Sequence, residues 1–415
     1  MKEFLKKFIP SFLLSWYHFL LAFLGTILYW FPSKKLKVIG LTGTNGKTTA
    51  VEMISKILEE AGFKVASLSS IKFKIGDKEW PNTLKMTMPG RLKLQRFLRQ
   101  AVNSGCQYVV LEVTSEGIRQ YRHRFIDFEG AVLTNLTPEH IEAHGSFENY
   151  RAAKGKLFQT TKGIHIINID DENGKYFLQF PAEKKYQYQI LGDRISINGD
   201  PISINLKLLG KFNLYNAAAA ICVGLSQGVN LETCKIALEK IEGVPGRMEK
   251  VISEPFKVFV DYAFTPNALE KVYQTFKYLT PGVKYSTPGV EYNRMICVLG
   301  ACGGGRDKWK RPVLGEIAAK YCDEVVATNE DPYDENPMEI IEQVANGCKE
   351  KAKKILDRRE AIREALKLAK QNDVVIITGK GCEPWICVAK GKKIPWDDRE
   401  VVREEFNNLQ LTTND

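Results

Sequence analysis

Two kinds of apolar pattern alternate along the chain. Short runs rich in Val, Ile and Leu stand at Lys37–Leu41, Lys64–Leu68, Tyr108–Glu112, Gly130–Thr134 and His165–Ile169. They alternate with helical stretches such as Leu92–Asn103 and Phe147–Gln159. This alternation predicts a mostly parallel sheet with helices on both faces. Tyr186–Leu209 predicts short strands, and Phe212–Gly228 an alanine-rich helix. Gly243, Pro245 and Gly246 then punctuate the chain and mark a domain boundary. A second alternation follows, with strands expected at Phe256–Asp261, Arg294–Leu299, Glu324–Thr328 and Val374–Thr378. Tyr278–Tyr292, rich in Pro, Gly and Ser, reads as a surface loop, and the terminal LTTND as frayed.

The amino terminus breaks this rhythm. Residues 8–33 carry no Asp, Glu, Lys or Arg. The run from Ser11 to Phe31 is about the length of a helix that crosses a hydrocarbon core. Lys2, Lys6 and Lys7 precede it, and Lys34, Lys35 and Lys37 follow it. Trp16, Tyr17, Tyr29 and Trp30 suit the level of lipid headgroups. A cleaved leader is disfavoured, because the run is long and no small-residue cleavage site follows. Two readings stay open: a membrane helix, spanning or lying in the interface, and a helix buried against the body. His18 argues mildly against a simple span.

At 415 residues the chain is long enough for two or three domains. With 44% hydrophobic and 26% charged residues it is a globular chain, which excludes a mainly disordered one. The net charge of +10 favours an anionic partner without choosing among nucleotide, nucleic acid and membrane surface. Nine scattered cysteines with no CxxC pair argue against a zinc ribbon and for reduced thiols in the cytosol.

Four clusters carry chemistry. GTNGKTT, from Gly43 to Thr49, follows a strand and opens a helix. Its glycines let backbone N–H groups face phosphate oxygens; Lys47 supplies a point charge, and Thr48 a hydroxyl for Mg²⁺. Glu112 ends an apolar strand, at the edge where open α/β sheets place their sites, and could share that metal. TNLTPEHIEAHG, Thr134–Gly145, follows another strand and holds His140 and His144; His140 could ligate a second metal or contact phosphate. In YRAAKGKLF, Tyr150 and Lys154 share a helix face at i, i+4. Burial of Lys154 would lower its pKa and leave a reactive amine; a snorkelling lysine is the plainer alternative.

In this order the motifs resemble those of the Mur ligases, and within them the enzymes that add the third residue of the peptidoglycan stem peptide. The likeness continues through GKFNLYNAAAA, VPGRMEKV, VDYAFTPNALEKV, GACGGGRDKWKRP, NEDPYDENP and GKGCEPW, from about residue 37 to 405. It implies a central ATP-binding domain with a P-loop and a mostly parallel sheet over 36–244. A Rossmann-like C-terminal domain would cover 245–415, after a hydrophobic helix over 1–35. It implies an ATP-dependent carboxylate–amine ligase working through an acyl phosphate, with a UDP-MurNAc-L-Ala-D-Glu-like substrate and a free diamino acid. Gly43, Thr44, Asn45, Gly46, Lys47, Thr48 and Thr49 match the ATP phosphate loop. Glu112, His140 and a carbamylated Lys154 match ligands, with Thr48, for two Mg²⁺ sites. Asn216, Arg247 and Asp261 match ATP contacts. Thr87, Ser115 and Arg122 match the muramyl-peptide site, and Arg306, Asp331, Tyr333 and Glu383 the acceptor pocket. A cytoplasmic monomer without nucleic acid is the corresponding expectation, with membrane contact through 8–33.

The sequence departs from the family in four ways. A hydrophobic helix stands where members usually carry a uridine-binding domain. A Ser-Ser-His motif reads Thr114-Ser115-Glu116, and DYAHTP reads DYAFTP with Phe264. DNPR reads Glu330-Asp331-Pro332-Tyr333, and GKGHE reads GKGCE. Tyr333 cannot grip a distal carboxylate as an arginine would, which points to a lysine-like acceptor whose ammonium meets Asp331, Asp334 or Glu330. Folylpolyglutamate synthase, a ligase for lipid-linked precursors and a non-catalytic tethered scaffold are the alternatives. GTNGKTT and the GKGCEP and DREVVREEF segments favour the muramyl ligase over the first; a missing cysteine-rich zinc insertion opposes the second.

Overall fold

A computed structural model of the chain describes residues 10–84, 86–277 and 292–413. The loop expected at 278–292 falls, but for Tyr292, outside the described residues. The chain divides into two compact units, 1–137 with 147–204 and 212–240, and 138–146 with 205–211 and 241–415.

The first unit is built on a ten-stranded sheet. Its strands are β1 (Lys37–Thr42), β2 (Val65–Leu68), β3 (Lys72–Ile75), β4 (Lys78–Pro81), β5 (Tyr108–Glu112), β6 (Phe128–Leu133), β7 (Ile164–Asn168), β8 (Lys184–Leu191), β9 (Arg194–Ile197) and β10 (Asp200–Ile202). The order is β10-β9-β8-β7-β6-β1-β5-β2-β3-β4. From β8 to β2 every pairing is parallel, and antiparallel strands close both ends. β1 lies between β5 and β6, so the chain leaves it to both sides and opens a crevice at the carboxyl ends of these strands. The central strands are buried along their length, which is why they read as continuous apolar runs. The β3–β4 hairpin has no apolar signature in the sequence, because Lys72, Lys74, Lys78 and Glu79 give it the polar character of an edge.

Six helices of this unit matter here: α1 (Ser11–Leu28), α2 (Lys47–Glu60), α3 (Arg91–Asn103), α4 (Phe147–Thr160), α5 (Phe212–Ser226) and α6 (Leu231–Glu239). Four apolar alanines of α5, Ala217 to Ala220, are fully buried and allow close packing on the sheet and on α2. α1 packs one face on the body. Phe19 meets Tyr121 and Phe125 edge-on, and Ala22 and Thr26 are buried. Gly25 lets α3 approach, since a Cβ there would stand 3.1 Å from Leu92. No helix among the described residues is long and apolar enough to cross a membrane. After α1, Trp30 and Phe31 both take positive φ, 55° and 51°. For bulky residues this costs of order 1–3 kcal/mol each. The Arg99 guanidinium holds the turn, donating to the carbonyls of Tyr29 and Trp30 at 2.7–3.0 Å.

The second unit has a six-stranded sheet, β11 (Glu249–Ile252), β12 (Lys257–Asp261), β13 (Met295–Leu299), β14 (Glu324–Thr328), β15 (Ala352–Ile355) and β16 (Val374–Thr378). Its order is β11-β12-β16-β13-β14-β15, parallel except for β11. α7 (Pro266–Lys277), α8 (Lys310–Tyr321), α9 (Pro337–Gly347), α10 (Arg358–Leu368) and α11 (Asp398–Thr413) accompany it. The terminal LTTND, expected to fray, carries α11 as far as Thr413. A buried Arg358–Asp398 pair, donated twice at 2.7–2.8 Å, ties α10 to α11.

Candidate active site

The first unit assembles its site at the ends of β1, β5 and β6. Gly43 and Gly46 both have positive φ, 148° and 81°. A Cβ on Gly43 would fall 2.0 Å from Thr134 Oγ1, and one on Gly46 would fall 2.3 Å from Asn216 Oδ1. Only glycine lets the loop pass between these two side chains. The next strand's end locks the loop: Asn135 accepts the Asn45 N–H at 2.9 Å and returns a bond to the Asn45 carbonyl at 3.0 Å. Thr44 Oγ1 donates to the Thr137 carbonyl at 3.1 Å and lies 3.2 Å from the Tyr150 hydroxyl. α2 then starts with no side chain capping it, so its dipole and first N–H groups point at the crevice.

Lys47 folds back over the loop, its amine donating to the Gly43 and Thr44 carbonyls at 3.0 Å. Buried Thr48 donates to the carboxylate of Glu112 at 2.6 Å. Ser70, after β2, adds its N–H and its hydroxyl to the same carboxylate at 2.9 and 3.2 Å. Thr87 joins through Ser70 at 2.8 Å. The Thr48 hydroxyl and Glu112 carboxylate are hard oxygen donors side by side, a pair that fits Mg²⁺.

Lys154 is buried rather than snorkelling, only 2% exposed. Its amine donates to the Gly43 carbonyl at 2.7 Å and lies 4.7 Å from the centre of the Tyr150 ring. Burial, aided by the charge on Lys47, pulls its pKa well below the ordinary lysine value. A neutral buried amine of this kind can add CO₂. Ser115 starts a short helix capped by Thr114, immediately after β5. Arg122 is turned inward, donating to the Met88 carbonyl and, at 2.7 Å, to Gln120. Thr49 is buried in the first turn of α2, and Asn216 is bound to Asn213 at 3.0 Å.

His140 belongs to the other unit, with segment 138–146. Glu139 beside it accepts from Lys310 at 2.7 Å, and both are buried. Asp307 accepts the N–H groups of Ile141 and Glu142 at 3.3 and 3.0 Å. Phe264, the residue in the place of a histidine, lies under the Lys310 amine at 5.0 Å. Among the described residues no cluster of three or more His, Cys, Asp and Glu forms a ready metal cage.

The second unit gathers the remaining candidates around β12, β14 and β16. Asp261 accepts the N–H groups of Met248 and Ala263, each at 2.7 Å, and Arg247 stacks on Tyr262 at 4.4 Å. Asp331 accepts from Lys380 at 3.0 Å and from the Cys387 N–H at 2.7 Å. Lys380 also pairs with Glu383, which accepts from the Tyr262 hydroxyl at 2.9 Å. Cys302 donates to buried Glu330 at 2.8 Å, and burial raises that carboxyl's pKa. Burial also raises the Cys302 thiol; burial alone would lower the pKa of Arg306, but Cys302, Tyr262, Tyr333 and Glu139 outweigh it and raise the guanidinium above its ordinary value. Tyr333 holds φ at 53° against Gly304, where a Cβ would meet its ring at 2.5 Å. Ser70, Asn135, Lys380 and Cys302 join the candidate residues through the structure alone. Asn135, Lys380 and Cys302 lie inside the motifs quoted above; no sequence pattern marks Ser70.

Residues 41–224 match the Mur ligase middle domain, and residues 246–381 the Mur ligase glutamate ligase domain. The chain belongs to the Mur ligase family. It is 40% identical over 410 residues to the UDP-N-acetylmuramoyl-L-alanyl-D-glutamate–2,6-diaminopimelate ligase of Syntrophomonas wolfei, covering 92% of this chain and 81% of that one. A UDP-N-acetylmuramyl-tripeptide synthetase of Roseiflexus is 34% identical over 430 residues, covering 94% and 82%. Among solved structures, a UDP-N-acetylmuramoyl-L-alanyl-D-glutamate–2,6-diaminopimelate ligase aligns with a TM-score of 0.58 at 29% identity, over 90% of this chain and 79% of that one. The folylpolyglutamate synthase of Mycobacterium tuberculosis shares the Mur ligase fold with a TM-score of 0.69 at 16% identity, over 86% and 92%. Mur ligases are ATP-dependent amide-forming enzymes, and this chain is one of them.

Proposed function

We propose that the protein joins a diamino acid to UDP-MurNAc-L-Ala-D-Glu or a close analogue, at the expense of ATP, in the cytoplasm. The observation that carries this reading is the buried Lys154 amine on the carbonyl of the phosphate loop, beside the Thr48–Glu112 pair. A nucleotide-binding scaffold without chemistry has no use for a desolvated lysine there. The terminal carboxylate of the muramyl dipeptide attacks the γ-phosphorus and gives an acyl phosphate and ADP. The acceptor's free amine attacks the acyl carbon, and the tetrahedral adduct expels phosphate. Lys47, Gly43–Thr49 and the start of α2 hold the phosphates and offset charge as it moves to the leaving oxygen. Thr48, Glu112 and Lys154 as its carbamate, all in the first unit, would hold Mg²⁺, which supplies further charge neutralisation on the phosphoryl oxygens; the family resemblance gives His140 of the second unit a metal-ligand role as well. Asn216, Arg247 and Asp261 position ATP; Thr87, Ser115 and Arg122 position the muramyl peptide.

In the second unit Arg306, Asp331, Tyr333 and Glu383 would receive the acceptor. The names of the relatives support diaminopimelate as the acceptor to test first. Tyr333 offers one hydroxyl where an arginine would offer a fork, so L-lysine is the competing acceptor. Phosphate release from ATP, measured with UDP-MurNAc-L-Ala-D-Glu and each of meso-diaminopimelate, L-lysine and L-ornithine, tests the reading. Turnover that needs both the dipeptide and one diamino acid supports it. Turnover only with tetrahydrofolate and glutamate would overturn it.

A further inference from the structure

Among the described residues, ten of the nineteen exposed large apolar side chains lie between Leu13 and Phe31. This concentration is a surface, not the usual scatter of single residues. Leu13, Trp16, Tyr17, Leu20, Leu24, Ile27 and Leu28 recur at helical spacing along α1, on the side away from buried Ala22, Gly25 and Thr26. The turn that follows adds Trp30, the most exposed of all at 81%. That exposure is imposed: two successive aromatic residues hold left-handed backbone, and three bonds from Arg99 keep them there. Lys34, Lys35 and Lys37 follow at once and are exposed, with the Lys34 amine 5.3 Å from the centre of the Phe31 ring.

We propose that α1, with Trp30 and Lys34–Lys35, is a docking surface for a lipid bilayer with anionic headgroups, lying in the plane of the interface. Three features select this occupant. The apolar stripe carries Trp and Tyr, the side chains suited to the headgroup level, and a run of lysines borders its end. The helix is about 27 Å long at 1.5 Å per residue, shorter than a hydrocarbon core, and its other face is filled by Tyr121, Phe125 and α3. It can therefore sink one face into lipid but cannot be surrounded by it. A second copy of the chain is the competing occupant. Pairing of helices would call for charges flanking the stripe, and residues 8–33 have none. The inference is independent of the reaction proposed above.

Co-sedimentation of the full chain with vesicles of phosphatidylglycerol and phosphatidylcholine, and with phosphatidylcholine alone, tests it. The chain should bind the anionic vesicles, less at high salt, and its tryptophan emission should shift to the blue. Lys34→Ala with Lys35→Ala should weaken binding about thirtyfold, at roughly fivefold per lysine. Leu20→Glu with Leu24→Glu should abolish it and leave phosphate release unchanged. Trp30→Ala, which alters no buried contact, gives a second variant should the glutamates disturb folding. A native chain that stays in the supernatant at low salt overturns the proposal. So does binding that none of these variants weakens. A concentration-dependent dimer that Leu20→Glu with Leu24→Glu dissolves, without vesicle binding, would assign the face to a second copy.

Discussion

At the scale of single residues, Lys154 makes the sharpest demand. Its amine is sealed from water, bonded to the Gly43 carbonyl, and depressed in pKa by burial and by Lys47. Unfolding restores the ordinary lysine value, so between the depressed native value and that ordinary value the unfolded chain binds one proton more. Stability therefore rises with pH across this window, and the penalty is gone above the unfolded value. Lys154→Met should be more heat-stable than the native chain at neutral pH in CO₂-free buffer, with the gain shrinking as pH nears the ordinary lysine pKa. Calorimetry checks this, and a gain that does not change with pH would refute the depressed amine. The same substitution should abolish ligation, and Lys154→Ala should recover part of it with a short carboxylic acid. Glu112→Gln should lower ligation about 10²–10³-fold, as removing one preorganised charge partner does elsewhere. An effect below tenfold in steady-state phosphate release would take Glu112 out of the site.

Elements explain what the sequence could and could not tell. β1, β5, β6 and β16 were legible because a strand buried on both faces must be apolar throughout. β15, reading AKKI at the sheet edge, and the β3–β4 hairpin were not, because edges are polar and resemble loops. The phosphate loop was legible as a motif, but its partners were not. Thr134 and Asn135 meet it only through the strand order, and Asn216 only through the packing of α5 on α2. Here Gly46→Ala is diagnostic: it forces positive φ on alanine and drives a Cβ into Asn216. Strain of about 1–3 kcal/mol predicts ADP binding weaker by roughly ten- to hundredfold. Titration with a fluorescent ADP analogue reads it, and unchanged affinity would mean that the loop rearranges freely. In the second unit Lys380→Met would take the cationic partner from Asp331 and Glu383. Breaking a buried pair costs about 3–5 kcal/mol, to be seen in the denaturant midpoint. A loss below about 1 kcal/mol would mean that water already satisfies those carboxylates.

At the scale of the whole molecule, the residues proposed to bind substrates lie in both units. The first unit carries the phosphate loop and Asn216; the second carries Arg306, Asp331 and Glu383, together with Arg247 and Asp261. The roles proposed above assign Asn216 and Arg247 to ATP and Arg306 to the acceptor. Kinetic constants should therefore sort by residue and not by unit. Asn216→Ala should raise KM for ATP about tenfold, the worth of one hydrogen bond, and leave KM for the diamino acid alone. Arg247→Ala should do the same from the second unit. Arg306→Ala should raise KM for the diamino acid by ten- to roughly hundredfold, as for a bond to a charged group, with KM for ATP unchanged. Initial rates with each substrate varied in turn would separate these cases. Equal shifts in both constants for all three variants would mean that the substitutions act through stability rather than contact. A shift in the acceptor constant for Arg247→Ala alone would move that arginine into the acceptor pocket. There its stacking on Tyr262, whose hydroxyl donates to Glu383, already supplies a route to the acceptor.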